Sequence, residues 1–379
     1  MLANDIPATL VVANDFPPRF GGVQQYVFNL VSNLPADRVT VLAPRWEGWR
    51  EHDAALPFRV VRYAGHSVVP LGGARDRVVS LARESRSEVA LLASGLPVMG
   101  HARSLKEAGV PSVVLTHGVE YWAASLPGSR QLMRRWLSDS SRVCVISDYT
   151  RRRVAPVVPK GIPVSLCPPG VDVERFSPDV PGSAVRDHFG FGERPLIVCV
   201  SRLVPRKGQD VLIRAMPLIR RDHPDAVLLL VGEGSYRRRL EALSTHAPTG
   251  SVVFAGGVPA DELPAYHAAA DVFAMPCRSR LAGLEVEGFG IVFMEAAATG
   301  KAVVAGDSGG AAEAVIDGET GVVVDGSDHE VVAGAISDLL SDPDRAERMG
   351  QAGRVRAVGG YAWSEIASDV AGWLREAAR

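Results

Sequence analysis

The amino-acid sequence predicts an α/β protein made of two doubly wound parallel-sheet domains, and three observations lead there. Its 379 residues are too many for one ordinary hydrophobic core and about right for two domains of common size. Short apolar runs alternate with longer amphipathic stretches, the pattern of βαβ units whose strands are buried on both faces. That alternation occurs twice, interrupted from Pro168 to Pro195 by a segment rich in Pro, Gly and Asp. Two Rossmann-like domains are therefore expected, residues 1–170 and 171–360, with a ligand cleft at the C-terminal ends of both sheets.

In the first domain, strands are expected at Thr9 to Ala13, Val39 to Ala43, Phe58 to Val61, Val89 to Ala93, Ser112 to Thr116, Arg142 to Ile146 and Val164 to Cys167. The Pro168 to Pro195 segment reads as the connection between domains. Strands resume at Leu196 to Val200, Val227 to Val231, Val252 to Ala255, Val272 to Met275, Ala302 to Ala305 and Val322 to Val324, with helices at about Gln209 to Arg221, Tyr236 to Ser244, Asp261 to Ala269 and Ile291 to Thr299. Asp342-Pro343-Asp344 has the form of a metal-binding carboxylate pair but reads as a helix start. A final helix within about 361–379 is expected to pack back on the first domain.

Composition narrows the function. Hydrophobic residues make up 47% of the chain and charged residues 22%, and no apolar run reaches the ~18 residues of a membrane span. Met1 to Leu10 lacks the basic start and apolar stretch of a secretory signal, so the expected location is cytoplasmic. Four scattered cysteines with no C-x-x-C pair suggest neither a zinc site nor a disulfide framework. The net charge of −2 conceals an asymmetry: residues 1–170 carry 20 Lys or Arg against 13 Asp or Glu, whereas residues 171–379 carry 21 against 30. A basic half attracts phosphate-rich partners. Nucleic acid is not expected among them, because interleaved aromatic platforms and a recognised motif are missing.

Four segments carry candidate chemistry. The loop Asn14-Asp15-Phe16-Pro17-Pro18-Arg19-Phe20-Gly21-Gly22 follows the first strand, and its Gly21-Gly22 pair opens a helix whose free N–H groups suit a phosphate or sugar oxygen. An ordinary strand-to-helix turn has the same composition; neither G-x-G-x-x-G nor a Walker loop is present. Ser201 to Gly208 places Arg202, Arg206 and Lys207 directly after a strand, as a diphosphate requires; solvated surface loops carry such charges too. In Glu287-Gly288-Phe289-Gly290-Ile291-Val292-Phe293-Met294-Glu295, one carboxylate precedes a helix with a glycine-rich start and the other lies about two turns along it. Those carboxylates suit sugar and ribose hydroxyls, while the N–H groups around Gly290 to Val292 suit a diphosphate; on composition alone a solvated helix start with an N-terminal Glu is the competing explanation. His117, at the end of an apolar strand and before Gly118, is placed to bond a substrate hydroxyl or shuttle a proton, although a satisfied structural histidine is the commoner case in general.

Taken together, these segments resemble the retaining glycosyltransferases of family 4, which have the GT-B fold. The resemblance covers essentially the whole chain, and the E-x7-E motif from Glu287 to Glu295 is its most specific part. Within the family the chain is most similar to the actinobacterial mannosyltransferases that extend phosphatidylinositol monomannoside, through Asn14 to Arg19, Ser201 to Asp210 and Asp271 to Arg278.

The resemblance implies a GDP-mannose donor. Arg202 and Lys207 would bind its diphosphate, Glu295 its ribose, and Glu287 its sugar together with the backbone of Phe289, Gly290, Ile291 and Val292. Gly21 and Gly22 are expected near the donor, His117 against the sugar, and Asp15, Gln24 and Arg206 near the acceptor. No metal is expected, since Arg202 and Lys207 can neutralise the departing diphosphate. With a lipid acceptor the protein would be peripheral on the inner face of the plasma membrane. Arg130, Arg134 and Arg135 beside Leu132, Met133 and Trp136, with Arg75, Arg77, Arg83 and Arg86, would then rest on anionic head groups. The competing readings are a family-4 enzyme with another nucleotide sugar or acceptor, a GT-B nucleotide-sugar epimerase, and a non-enzymatic nucleotide-sugar sensor.

Overall fold

The computed structural model describes residues 6–19, 21–118 and 120–379, without the side chains of Tyr121 and Trp122. Residues 1–5 of the N-terminal stretch read above and Phe20 of the Gly-Gly loop lie outside the described residues. The chain divides into two units: residues up to Gly170 together with Trp363–Arg379, and Val171–Ala362.

The first unit is a seven-stranded sheet of β1 (Thr9–Val12), β2 (Val39–Pro44), β3 (Arg59–Tyr63), β4 (Val89–Leu92), β5 (Ser112–Leu115), β6 (Arg142–Val145) and β7 (Val164–Leu166). All pairs are parallel, in the order β3-β2-β1-β4-β5-β6-β7. Every residue of β1, β4 and β5 is buried, which is why, apart from Thr9 and Ser112 at the strand starts, they read as apolar runs rather than alternating ones. β3 runs to Tyr63, beyond the apolar stretch that ends at Val61, because Arg62 is accommodated inside: its guanidinium donates to Asp53 at 2.6 and 2.8 Å and to the carbonyls of Pro44 and Pro17. A buried cation is tolerable only with such full pairing.

The second unit is a six-stranded parallel sheet of β8 (Leu196–Val200), β9 (Val227–Val231), β10 (Val252–Gly256), β11 (Val272–Met275), β12 (Ala302–Gly306) and β13 (Gly321–Val324), in the order β10-β9-β8-β11-β12-β13. Its core joins strand residues such as Leu229, Phe273 and Val304 to helix residues Met216, Phe293 and Ile336. The Pro168 to Pro195 segment is more than a connection. It contains a helix, Ser183–Phe189, and buries Val171, Phe176, Val185 and Phe191 in that core. Asp342 caps the helix Pro343–Gly360 by accepting a bond from the Arg345 N–H, in keeping with a helix start rather than a metal pair.

In each sheet the strand order reverses direction once, between β1 and β4 and between β8 and β11. Open parallel sheets bind ligands outside the carboxyl ends of their strands at such switch points. No described helix is long and apolar enough to cross a membrane.

Candidate functional site

The first unit's candidate residues stand at the β1/β4 switch point. The loop after β1 is fixed by Ser94, whose hydroxyl accepts the N–H groups of Asn14 and Asp15 at 2.9 and 3.1 Å. Asp15 in turn accepts from the Gln24 amide at 2.8 Å, so the two expected acceptor residues meet each other. Burial raises the Asp15 carboxyl above the ordinary range, against the opposing pull of Arg19 and Ser94. Gly22 begins the helix Gly22–Ser32, with Gly21 as its N-cap residue and no side-chain cap. A side chain added at Gly22 would meet nothing within 4 Å, whereas one at Gly21 would meet Gln24 Oε1 at 2.1 Å, so the Gln24 side chain folds back against the helix start while Gly22 stays open.

His117 lies just beyond β5. Its Nε2 is 2.6 Å from the Ala93 carbonyl, and since a carbonyl only accepts, Nε2 carries the hydrogen and Nδ1 keeps its lone pair. Desolvation lowers the imidazole's pKa to about 4, despite the bond to Ala93. His117 is therefore a neutral acceptor at ordinary pH. Tyr26 packs edge-on to it at 4.9 Å between centroids and edge-on to Trp363 of the final helix at 5.4 Å, and the Tyr26 hydroxyl donates to the Cys167 carbonyl. The last helix thus contributes the far side of the packing behind His117.

In the second unit the loops after β8 and β11 meet. The Arg278 N–H donates to the Arg206 carbonyl at 2.9 Å, and the Arg278 guanidinium grips the buried Asp210 at 2.9 and 3.0 Å. Gly208 has φ of 80°, and a side chain there would meet the Pro276 carbonyl oxygen at 2.0 Å; only glycine permits this approach of the two loops. Its neighbour Lys207 is turned inward, with Nζ 2.7 Å from Glu287 Oε2, and Arg206 Nε is 3.7 Å from the same oxygen. Burial pushes the Glu287 carboxyl up, but Lys207, Arg206 and Arg202 outweigh it and hold the group below the usual carboxylate range. The sequence thus leads to one cluster from two distant segments, with the Arg202 side chain exposed at its edge.

Beyond Glu287, Phe289 is buried, Gly290 caps the helix Ile291–Ala298, and Ile291 and Val292 occupy its first turn. Glu295, on the same helix, lies 3.5 Å from Nε2 of the fully buried His267. The two carboxylates of E-x7-E thus have different neighbours: cations at Glu287, and at Glu295 an imidazole that makes no hydrogen bond to it.

Ser94, Glu120, Asp210, His267 and Arg278 were not singled out by sequence reasoning, because each acts through tertiary neighbours; the one available signal was the position of Asp210 and Arg278 next to the cationic and β11 segments. The arginine-rich surface of the first unit also needs correction. Met133 is buried in the core, since positions 133 and 137 of the helix Pro127–Leu137 face inward, and Arg77 is paired with Glu84 at 2.7 Å. Leu132, Arg135 and Trp136 instead join Arg75 and Pro70 around a surface pocket of about 380 Å³. Leu71 and Leu126 are exposed nearby in sequence, at the starts of the two helices that carry these arginines.

Residues 20–175 match the family model described as Glycosyltransferase Family 4, and residues 184–356 match Glycosyl transferases group 1. The GDP-mannose-dependent alpha-(1-6)-phosphatidylinositol monomannoside mannosyltransferase of Mycolicibacterium smegmatis is 45% identical over 361 residues, covering 93% of this chain and 94% of that protein. The protein of the same description from Mycobacterium tuberculosis is 44% identical over 97% of both chains. In Corynebacterium glutamicum, the GDP-mannose-dependent monoacylated alpha-(1-6)-phosphatidylinositol monomannoside mannosyltransferase is 40% identical over 94% of both. Among solved structures, Anabaena Alr3699/HepE in complex with UDP superposes with a TM-score of 0.83 at 22% identity, covering 97% of this chain and 99% of that one. Sucrose-phosphate synthase from Thermosynechococcus elongatus gives 0.78 at 23% identity, over 97% and 98%. These two likenesses concern the fold.

Proposed function

Because this chain belongs to the family 4 and group 1 glycosyltransferases, we propose that it is a retaining α-mannosyltransferase that moves mannose from GDP-mannose to phosphatidylinositol monomannoside, giving the dimannoside. The chain is a hexosyltransferase of the GT-B fold. The observation that carries donor and acceptor is the likeness to the mycobacterial mannosyltransferases, which extends over both units at 44–45% identity. The sensor reading falls with it, and the epimerase reading loses its support.

In this reaction Arg202 and Lys207 bind the diphosphate and neutralise it as it departs, so that no metal is needed. Glu287 takes sugar hydroxyls, helped by backbone N–H groups from Phe289 to Val292, and Glu295 takes the ribose. The cations that keep Glu287 ionised also keep it an acceptor for hydroxyl donors. His117 receives a sugar hydroxyl's hydrogen at Nδ1 and orients the ring; a neutral imidazole suits this role and does not repel the developing positive charge on the sugar. Gly21 and Gly22 lie beside the donor, with open space at Gly22, and Asp15, Gln24 and Arg206 hold the acceptor.

Transfer proceeds by front-face attack. The bond from the anomeric carbon to the diphosphate breaks, the acceptor oxygen bonds to that carbon on the same face, and its proton passes to the departing phosphate oxygen. GDP leaves, and the α configuration of the donor is kept. The cytoplasmic protein would reach its lipid from the inner face of the plasma membrane, through Arg75, Arg135, Leu132 and Trp136. The test is nuclear magnetic resonance of the lipid product formed from GDP-α-mannose: an α-linked second mannose supports the proposal, and a β-linked one overturns retention.

A further inference from the structure

We propose that Glu120 is a positioning residue that sets His117 for the sugar; this rests on the reading of His117 given above. Glu120 is the first residue of the helix Glu120–Ser125 and is only 2% exposed. Its carboxylate accepts the His117 N–H at 3.0 Å, and the backbone N–H groups of Leu96, Gly118 and Glu120 itself pull its pKa down against the larger effect of burial. These partners are backbone amides from two loops, one after β4 and one after β5. A side chain at Gly95 would come within 1.8 Å of the carboxylate, so the loop after β4 is shaped around it.

The arrangement fixes His117 at two points. Glu120 holds its backbone, and the Ala93 carbonyl, also after β4, holds its ring at 2.6 Å. The ring therefore presents Nδ1 in one direction only while Glu120 ties the two loops together. Capping a short helix alone does not account for a buried carboxylate: Ser, Thr or Asp at the preceding position does that at far smaller desolvation cost. A side chain that offers acceptor oxygens to converging N–H groups is what a rigid loop junction requires.

The test compares wild type, H117A, E120Q and the H117A/E120Q double variant. E120Q keeps the shape but turns one end of the side chain into an N–H donor facing N–H groups. Turnover of E120Q should fall by about 10- to 100-fold, with GDP affinity and binding stoichiometry unchanged, since the diphosphate groups belong to the other unit. The double variant should be no slower than H117A, because Glu120 acts through His117. In spectra of protein carrying ¹⁵N-labelled histidine, with H117A supplying the assignment, wild-type His117 should show one Nε2–H tautomer and E120Q a mixture. Wild-type turnover by E120Q with an unchanged His117 signal would overturn the proposal, as would multiplying effects in the double variant. A wild type inert toward GDP-mannose counts against the donor reading, and the histidine signal then still decides the role of Glu120.

Discussion

Lys207 Nζ stands 2.7 Å from Glu287 Oε2, with both side chains nearly buried. The pair joins the loop after β8 to the loop after β11, and Lys207 is the nearest of the cations that hold Glu287 ionised. Removing one partner of a buried pair costs up to about 3–5 kcal/mol, here less for loss of Lys207, because Arg206 still lies 3.7 Å from Glu287. Lys207→Met should therefore lower the melting temperature and abolish transfer, whereas the Lys207→Met/Glu287→Gln double variant should recover much of the stability and none of the activity. Thermal melts beside transfer assays check this. Equal melting of the single and double variants would show that the pair is not coupled.

Two histidines of the first unit make its stability sensitive to acid. Desolvation pushes both His101 and His117 from 6.5 down to about 4, against the bonds they make to the carbonyls of Val68 and Ala93. Between these values the unfolded chain binds protons that the folded chain does not, so stability falls as pH drops from about 6.5 to about 4. Each group contributes a slope approaching ~1.4 kcal/mol per pH unit. Burial raises the carboxyls of Asp15, Glu120 and Asp369, and their opposite linkage offsets part of the loss at the acid end. Urea unfolding at pH 6.5 and pH 5 should show the effect in the first unit's transition. His101→Asn should flatten it by about one proton.

Glu295 is placed beside His267, whose ring stacks on Phe273 at 5.1 Å and has no hydrogen-bond partner on either nitrogen among the described residues. If Glu295 holds the ribose, Glu295→Gln should weaken GDP binding by about tenfold while leaving turnover at saturating donor nearly unchanged. His267→Phe fills the same space without strong destabilisation and should weaken GDP less, by loosening Glu295. Calorimetric titration with GDP separates these outcomes; a loss of turnover with unchanged GDP affinity in Glu295→Gln would remove the ribose role.

Arg75 and Arg135 line the same pocket as Leu132 and Trp136. Cations near an anionic bilayer contribute about 1 kcal/mol each, and apolar neighbours add burial at the interface. The Arg75→Glu/Arg135→Glu variant should lose flotation with anionic vesicles at low salt, keep GDP affinity, and show little difference from wild type on neutral vesicles. Undiminished flotation would remove this surface from membrane contact, and no flotation of the wild type would remove membrane contact altogether.

Much of the fold could be read from residues alone, for a physical reason. β8, β9 and β11 coincide with apolar runs because a strand buried on both faces favours apolar residues at every position. The helix Ser183–Phe189 escaped because it has seven residues, a glycine N-cap without a side-chain bond, and Pro- and Gly-rich flanks. The same contrast holds at the site. Arg202, Lys207 and Glu287 carry their charges on recognisable motifs, but Glu120 looks like any solvated helix-start glutamate until the fold buries it. The tautomer of His117 depends on Ala93, 24 residues away in sequence, and no local pattern reveals such a partner.

The most direct measurement is transfer of labelled sugar from GDP-mannose, UDP-glucose and UDP-N-acetylglucosamine, each with and without phosphatidylinositol monomannoside. Label should enter the lipid from GDP-mannose alone and only when the acceptor is present. Label entering from a UDP sugar, or none entering the lipid from GDP-mannose, would contradict the proposed reaction while leaving the two-unit fold as it stands.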